Sequence, residues 1–328
     1  MRRREFLNLA GSAAVWPVAA YAQQPERQKR IGVLTGIAGT DTQTKARLSA
    51  FLEELQRLGW TEGRNIKMDI RGAAGDIAAA RKHAAELIAL GPDIILAIGN
   101  VTMPPLLETT RTIPIVFAVV VDPVGTGYIK SLSKPGGNVT GFMMFEYSLS
   151  GKWPELLKQI APHVTRAAVL REPTFAGGIG QFAVIQAVAP SVGLEVIAIN
   201  SSDEREIERD MESFARSPNG GLIVTSGPAT VGFRGRIVTL ANQHKLPSIY
   251  YERLFAAEGG LLSYGPNLVD ATRRMAGYVD RIFKGEKPAE LPVQVPNKYD
   301  LVVNLKTAKI LGLAIPESFL QRADEVIE

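Results

Sequence analysis

The chain predicts an α/β fold of two doubly wound parallel-sheet lobes. Three observations carry this: short β-branched runs alternate with amphipathic stretches, the pattern occurs twice, and 328 residues exceed what one core usually holds. Strands are predicted over 31–35, 66–70, 94–98, 115–119, 167–170, 194–199, 222–225 and 248–251, in two groups of four. Between the first two, residues 44–58 read as a helix. Leu48, Phe51, Leu52, Leu55 and Leu58 share one stripe there, and Gly59 supplies a left-handed stop.

The two groups read as copies. Arg30-Ile31-Gly32-Val33-Leu34 matches Arg166-Ala167-Ala168-Val169-Leu170 at an offset of 136. Thr112-Ile113-Pro114-Ile115 matches Lys245-Leu246-Pro247-Ser248 at an offset of 133. Asp93 to Gly99 answers Gly221 to Gly227, each run ending in glycine. Any two parallel strands share apolar runs, but matched prolines and strand-ending glycines are harder to obtain without duplication.

Three passages between lobes are expected. The extended run 138–147 holds the first, and Gly259-Gly260-Leu261-Leu262-Ser263-Tyr264-Gly265-Pro266 the second. Asn267 then caps a helix with Asp270 at its third position and Leu268, Ala271, Met275, Val279 and Ile282 inside. The third passage falls near 291–296, where Pro288, Pro292 and Pro296 oppose regular structure. Lobe one is thus 23–144 with 266–291, and lobe two 145–265 with 292–328.

Ahead of both lobes, Arg2, Arg3 and Arg4 precede an apolar run that ends at Ala20-Tyr21-Ala22, the three parts of an export signal. The run is shorter than the roughly twenty residues of a membrane span. Arg3-Arg4-Glu5-Phe6-Leu7 fits the twin-arginine variety, with ordinary secretion as the other route. Cleavage after Ala22 would leave 306 residues, soluble and periplasmic in a bacterium with two membranes. No cysteine is present, so neither a disulfide nor a lipobox is available. Removing the leader lowers the formal charge from +4 to +2, which is no signature of nucleic-acid binding. Arg273, Arg274, Arg281 and Lys284 read as one wet helix face.

Catalytic chemistry finds little support. His83, His163 and His244 are the only histidines, and no two stand at metal-binding helical spacing. Neither a Walker loop nor a G-x-S-x-G elbow occurs. Gly125-Thr126-Gly127 opens like a dinucleotide fingerprint, but Lys130 stands where the last glycine belongs, so no cofactor is expected.

Binding is better supported. In open parallel sheets, ligands meet the carboxyl ends of strands. Those ends carry Thr35, Gly36, Asn100, Thr102 and Asp122 in lobe one, and Ser226, Gly227, Thr230, Tyr250, Tyr251 and Glu252 in lobe two. The passages add Phe145, Glu146, Tyr147 and Tyr264. The aromatics suit a flat ring. Asp122 suits an ammonium, and the helix starts after Gly99 or Gly227 suit a carboxylate. Phe145 and Tyr250 equally suit a core, Asp122-Pro123 a turn, and Glu252 reads as solvated.

Several blocks in fixed order resemble a known family: Asp122-Pro123-Val124-Gly125, Lys134-Pro135-Gly136-Gly137-Asn138-Val139-Thr140-Gly141, Ser263-Tyr264-Gly265-Pro266-Asn267, Tyr278-Val279-Asp280-Arg281-Ile282 and Asn304-Leu305-Lys306-Thr307-Ala308-Lys309. They look like the signature of ABC-transporter substrate-binding proteins similar to the tryptophan/tyrosine-binding TrpX type. The resemblance runs from Ile31 to Glu328. It implies a type-I periplasmic-binding-protein fold with a three-crossing hinge, no catalysis, and a small-molecule ligand such as an aromatic amino acid or related acid. It also implies an inner-membrane permease with a separate ATPase subunit as partners, and a monomer is expected. Asn100-Val101-Thr102 departs from the family's Thr-Pro pair, and Met143-Met144-Phe145-Glu146-Tyr147 is bulkier than relatives show at the crossing. A sensory receptor for a membrane kinase or chemoreceptor is the rival reading. An exported hydrolase lacks its dyad, and a repressor core lacks its DNA-binding headpiece.

Overall fold

The structure, a computed structural model, describes residues 27–38, 42–200 and 202–328. The signal predicted over 1–22 lies outside the described residues. The first lobe is a parallel sheet of β1 (Lys29–Thr35), β2 (Ile66–Gly72), β3 (Ile94–Ile98), β4 (Ile115–Val120) and β5 (Val139–Met143), in the order β2-β1-β3-β4-β5. β3 is buried along its whole length, as expected of a strand covered by helices on both faces. On one face Ile31, Val33, Leu96 and Phe142 pack against Phe51 and Leu55 of the helix Thr42–Arg57 and Met275 and Val279 of the helix Leu268–Phe283. On the other, Leu34, Ile95 and Phe117 meet Ala84, Leu87 and Leu106.

The second lobe repeats this order. β6 (Arg166–Arg171), β7 (Glu195–Asn200), β8 (Gly220–Val224), β9 (Ser248–Tyr250) and β10 (Leu262–Pro266) run β7-β6-β8-β9-β10. β11 (Tyr299–Asn304) and β12 (Glu325–Ile327) extend the far edge. Even the proline entries coincide. The Pro114 carbonyl accepts from Ile95 N–H at 2.8 Å, and the Pro247 carbonyl accepts from Leu222 N–H at 2.9 Å. Each proline starts an interior strand, where its missing N–H costs nothing and its carbonyl still serves the neighbour.

The run after Asn138 is first the strand β5, and from Met144 and Phe145 onward side chains join the second core. The parallel second sheet takes one antiparallel pairing, β11 beside β10. Two expectations need correction. The proline-rich stretch keeps some regular structure: Gln294 bridges Phe142, and its carbonyl accepts from Met143 N–H at 2.8 Å. Finally, Leu58 leaves the buried stripe at 37% exposure, one residue past the helix end, while Gly59 takes φ +95.

Chain direction at the hinge follows from these contacts. The Asn267 side chain accepts from Asp270 N–H and starts the helix that returns to the first sheet. Leu291 is buried in the first core and Thr140 Oγ donates to its carbonyl, before β11 rejoins the second sheet.

Candidate functional site

Both sheets reverse strand order between their first and third strands, and the loops that part there face each other. A cavity of about 630 Å³, its open mouth included, lies between them. From the first lobe come Thr35 and Gly36 after β1, with Gly99 and Asn100 after β3; from the second come Phe175 after β6, with Ser226, Gly227 and Pro228 after β8. These are the switch points at which open α/β sheets leave a crevice.

The first-lobe loops close tightly. Gly36 N–H donates to the Ile98 carbonyl at 2.7 Å, and a Cβ on Gly36 would stand 2.9 Å from Val101 Cγ1. Gly99 takes φ +96, which glycine adopts at little cost. Asn100 spends its amide on Val121, donating to its carbonyl at 3.0 Å and accepting from its N–H at 2.9 Å. It therefore fixes the ends of β3 and β4 to one another. At the register shift between β4 and β5, Val119 lines the cavity with φ +59, a conformation costing a β-branched residue about 1–3 kcal/mol.

In the second lobe, Ser226 donates its N–H and Oγ to Gln181 Oε1 at 2.8 and 3.0 Å. Glu172 accepts from Ala229 N–H at 3.0 Å and fills the space beside Gly227, where a Cβ would stand 3.0 Å from Oε2. Phe175 lies against Gly177, whose added Cβ would be 2.5 Å from the ring. Tyr251 is 1% exposed, and burial first, then the Glu252 carboxylate, pushes its phenol well above the ordinary value.

The cavity gathers six of the predicted residues: Thr35, Gly36, Asn100, Ser226, Gly227 and Tyr251. The others stand elsewhere. Thr102 is buried with its hydroxyl on the Gly99 carbonyl, and Thr230 donates to the Thr225 and Gly227 carbonyls. Asp122 accepts from Gly125 N–H at 2.9 Å and so closes a turn. Phe145 and Tyr250 are core, the latter stacked on Phe255 at 4.9 Å. Glu146 is exposed. The Tyr147 ring covers Gly180, and its phenol lies above its ordinary value through partial burial and then the Asp122 carboxylate. Tyr264 packs near Tyr299, its carbonyl accepting from Trp153 Nε1.

Among the lining residues that sequence reasoning missed, Phe175 and Arg47 matter most. Phe175 precedes a Gly-Gly pair just after a strand, at the position where a switch loop opens, and that place was the available signal. Arg47 is a cation on the buried side of an amphipathic helix, 6% exposed beside Leu48 and Phe51. Its Nη2 donates to Glu252 Oε1 at 2.9 Å, so Glu252 is buried and paired rather than solvated. Among the described residues, Arg47 is the one charged group lining the cavity; Ile37, Ile98, Val101, Met144 and Val231 give most of the remaining wall.

Among the described residues no cluster of three or more His, Asp or Glu could hold a metal, and no helix is long and apolar enough to cross a membrane.

Against known proteins, residues 30–327 match the family model described as ABC transporter substrate binding protein. A tyrosine-binding protein of Clostridioides difficile is 26% identical over 294 residues, covering 88% of this chain and 82% of that one. An ABC domain from Streptococcus pneumoniae solved in complex with L-Trp superposes with TM-score 0.84 at 26% identity, covering 92% of this chain and all of that one. A ligand-free, open substrate-binding protein with adhesive properties from Clostridium difficile gives TM-score 0.71 at 25% identity, over 91% of this chain and 99% of that one.

Proposed function

Because the chain belongs to the family of ABC transporter substrate-binding proteins, we propose that its cleft captures an aromatic amino acid or a closely related aromatic acid and delivers it to a membrane permease. The observation that carries the ligand class is the cavity wall. Apolar side chains from both lobes surround it, Phe175 and Tyr251 line it, and the one cation among the described lining residues, Arg47, is already paired with Glu252. A flat apolar body fits such a wall, and each well-oriented ring pair adds ~0.5–1.5 kcal/mol beyond burial. A sugar would leave its hydroxyls against aliphatic wall without partners. The tryptophan- and tyrosine-binding relatives agree with this chemistry.

Capture follows from geometry shared between lobes. A ligand that touches Thr35 and Gly36 on one side and Phe175 and Ser226 on the other favours the closed arrangement by its differential affinity for it. The closed form is the one presented to the permease, a separate ATPase subunit supplies the energy, and capture takes place outside the inner membrane after export.

Calorimetric titration of residues 23–328 with L-tryptophan, L-tyrosine, L-phenylalanine, indole-3-acetate and glucose tests the ligand class. Saturable heat with at least one aromatic compound and none with glucose is expected. Binding of glucose alone would reject the aromatic ligand.

A further inference from the structure

The Arg47–Glu252 ion pair ties the lobes together at a point that neither core requires. Arg47 lies on the helix Thr42–Arg57, which is anchored in the first core through Phe51 and Leu55. Glu252 lies 205 residues away, directly after Tyr251 of the second core. It occupies the N-cap of the helix Arg253–Ala257 yet makes no side-chain cap hydrogen bond there. Its carboxylate instead meets Arg47 at 2.9 Å, with the two side chains 7% and 10% exposed. Nearby pairs behave differently: Arg234–Glu258 and Arg253–Glu325 are formed within the second lobe and do not depend on how the lobes stand.

The pair also sits on a boundary. Arg47 lines the aromatic-walled cavity, and Arg47 with Glu252 lines a second hollow between the lobes that also touches Pro266 and Leu268 at the hinge. Glu252 is absent from the wall of the first cavity. It thus touches the hinge-side hollow and the cation of the ligand cleft without itself facing the ligand.

We propose that Arg47 and Glu252 form an inter-lobe latch, made only on closure, which supplies a ligand-independent share of the closed state so that Glu252 sets affinity without touching ligand. When the lobes part, water solvates both charges. When they meet, both lose that water and the 2.9 Å ion pair takes its place, so deleting the Glu252 carboxylate removes that bond from the closed form alone. Removing one partner therefore weighs on the closed form and spares the open one. Apparent affinity falls in proportion to the population able to close. The affinity consequence rests on the cleft being the ligand site; the closure consequence does not.

The test uses full-length mature protein with one introduced cysteine on an exposed surface of each lobe, since the natural chain has no cysteine to compete for dye. Energy transfer between the dyes reads the closed fraction without ligand, and calorimetry with L-tryptophan and L-tyrosine reads affinity. Glu252→Gln is expected to lower the ligand-free closed fraction, to raise the Kd about tenfold, and to leave the ligand-free melting temperature unchanged. The exchanged double variant Arg47→Glu with Glu252→Arg is expected to recover closure without ligand. An unchanged closed fraction in Glu252→Gln overturns the latch, as does a wild-type protein wholly open without ligand. A fall in ligand-free stability matching the affinity loss would make the pair part of the fold and overturns it too. If the wild type binds neither amino acid, the ligand assignment fails while the ligand-free measurement still decides the latch.

Discussion

Tyr250 and Tyr251 are neighbours that share a core and differ in reach. Both rings pack against Phe255, Tyr250 stacked at 4.9 Å and Tyr251 edge-on at 5.5 Å, but Tyr251, one residue past the strand, also lines the cleft. The strand-end rule that found both residues gives position along the chain and carries no information about facing. That is why Thr35, Gly36, Asn100, Ser226 and Gly227 were legible, all lying at loops that open the crevice, whereas Phe145 was not separable from a core residue. Arg47 was illegible for another reason: its partner lies 205 residues away, beyond any local pattern. The distinction is measurable. Phe145→Ala, at 1% exposure, should cost ~3–5 kcal/mol in urea unfolding of the ligand-free protein. Phe175→Ala should leave that stability nearly intact and weaken an aromatic ligand by about tenfold, the loss expected for one ring contact with its burial. Equal stability losses would place Phe175 in the core. Gly265 is a third case, for a Cβ there would fall 1.7 Å from the Tyr251 carbonyl oxygen. Gly265→Ala should therefore destabilise by ~1–3 kcal/mol or more and displace Tyr251 with Glu252 behind it, read as lost stability together with lost affinity.

Strands and helices were more legible than the site, for reasons visible in particular elements. β3 is a run of Ile-Ile-Leu-Ala-Ile, and burial on both faces leaves no polar residue to blur it. β11 escaped because Tyr299, Asp300 and Asn304 break its apolar run, and β12 because three residues, Glu325–Ile327, give no periodicity. Both depend on tertiary partners. Asp324 accepts from Leu301 N–H at 2.9 Å, and this bond, with Lys298 beside it, holds the carboxyl below its usual value. A depressed carboxyl contributes stability that is present above its unfolded value, about 4, and lost as pH falls below it. Asp324→Asn should flatten that acid limb of the stability curve, by less than about 1 kcal/mol for so exposed a group. The start of the helix Leu268–Phe283 was legible because Asn267 caps it through Asp270 N–H. Asn267→Ala should cost about 1 kcal/mol in chemical denaturation.

At the scale of the molecule, the duplicated strand order pairs two crevices into one cleft, and the family makes the chain a substrate-binding protein. Neither lobe, however, is a continuous stretch of sequence. The first sheet is complete by Met143, yet Met275, Ala276 and Val279, which cover Ile31, Val33 and Phe142, arrive more than a hundred residues later. A ribosome releasing this chain from its N-terminus must therefore expose an unfinished apolar face throughout synthesis of the second sheet. Late partners of this kind slow folding and lengthen the time at risk of aggregation. A fragment ending at residue 266 should lack cooperative unfolding and bind hydrophobic dye. In the cell, the growing chain would need a holding chaperone until the last helix of the first lobe emerges.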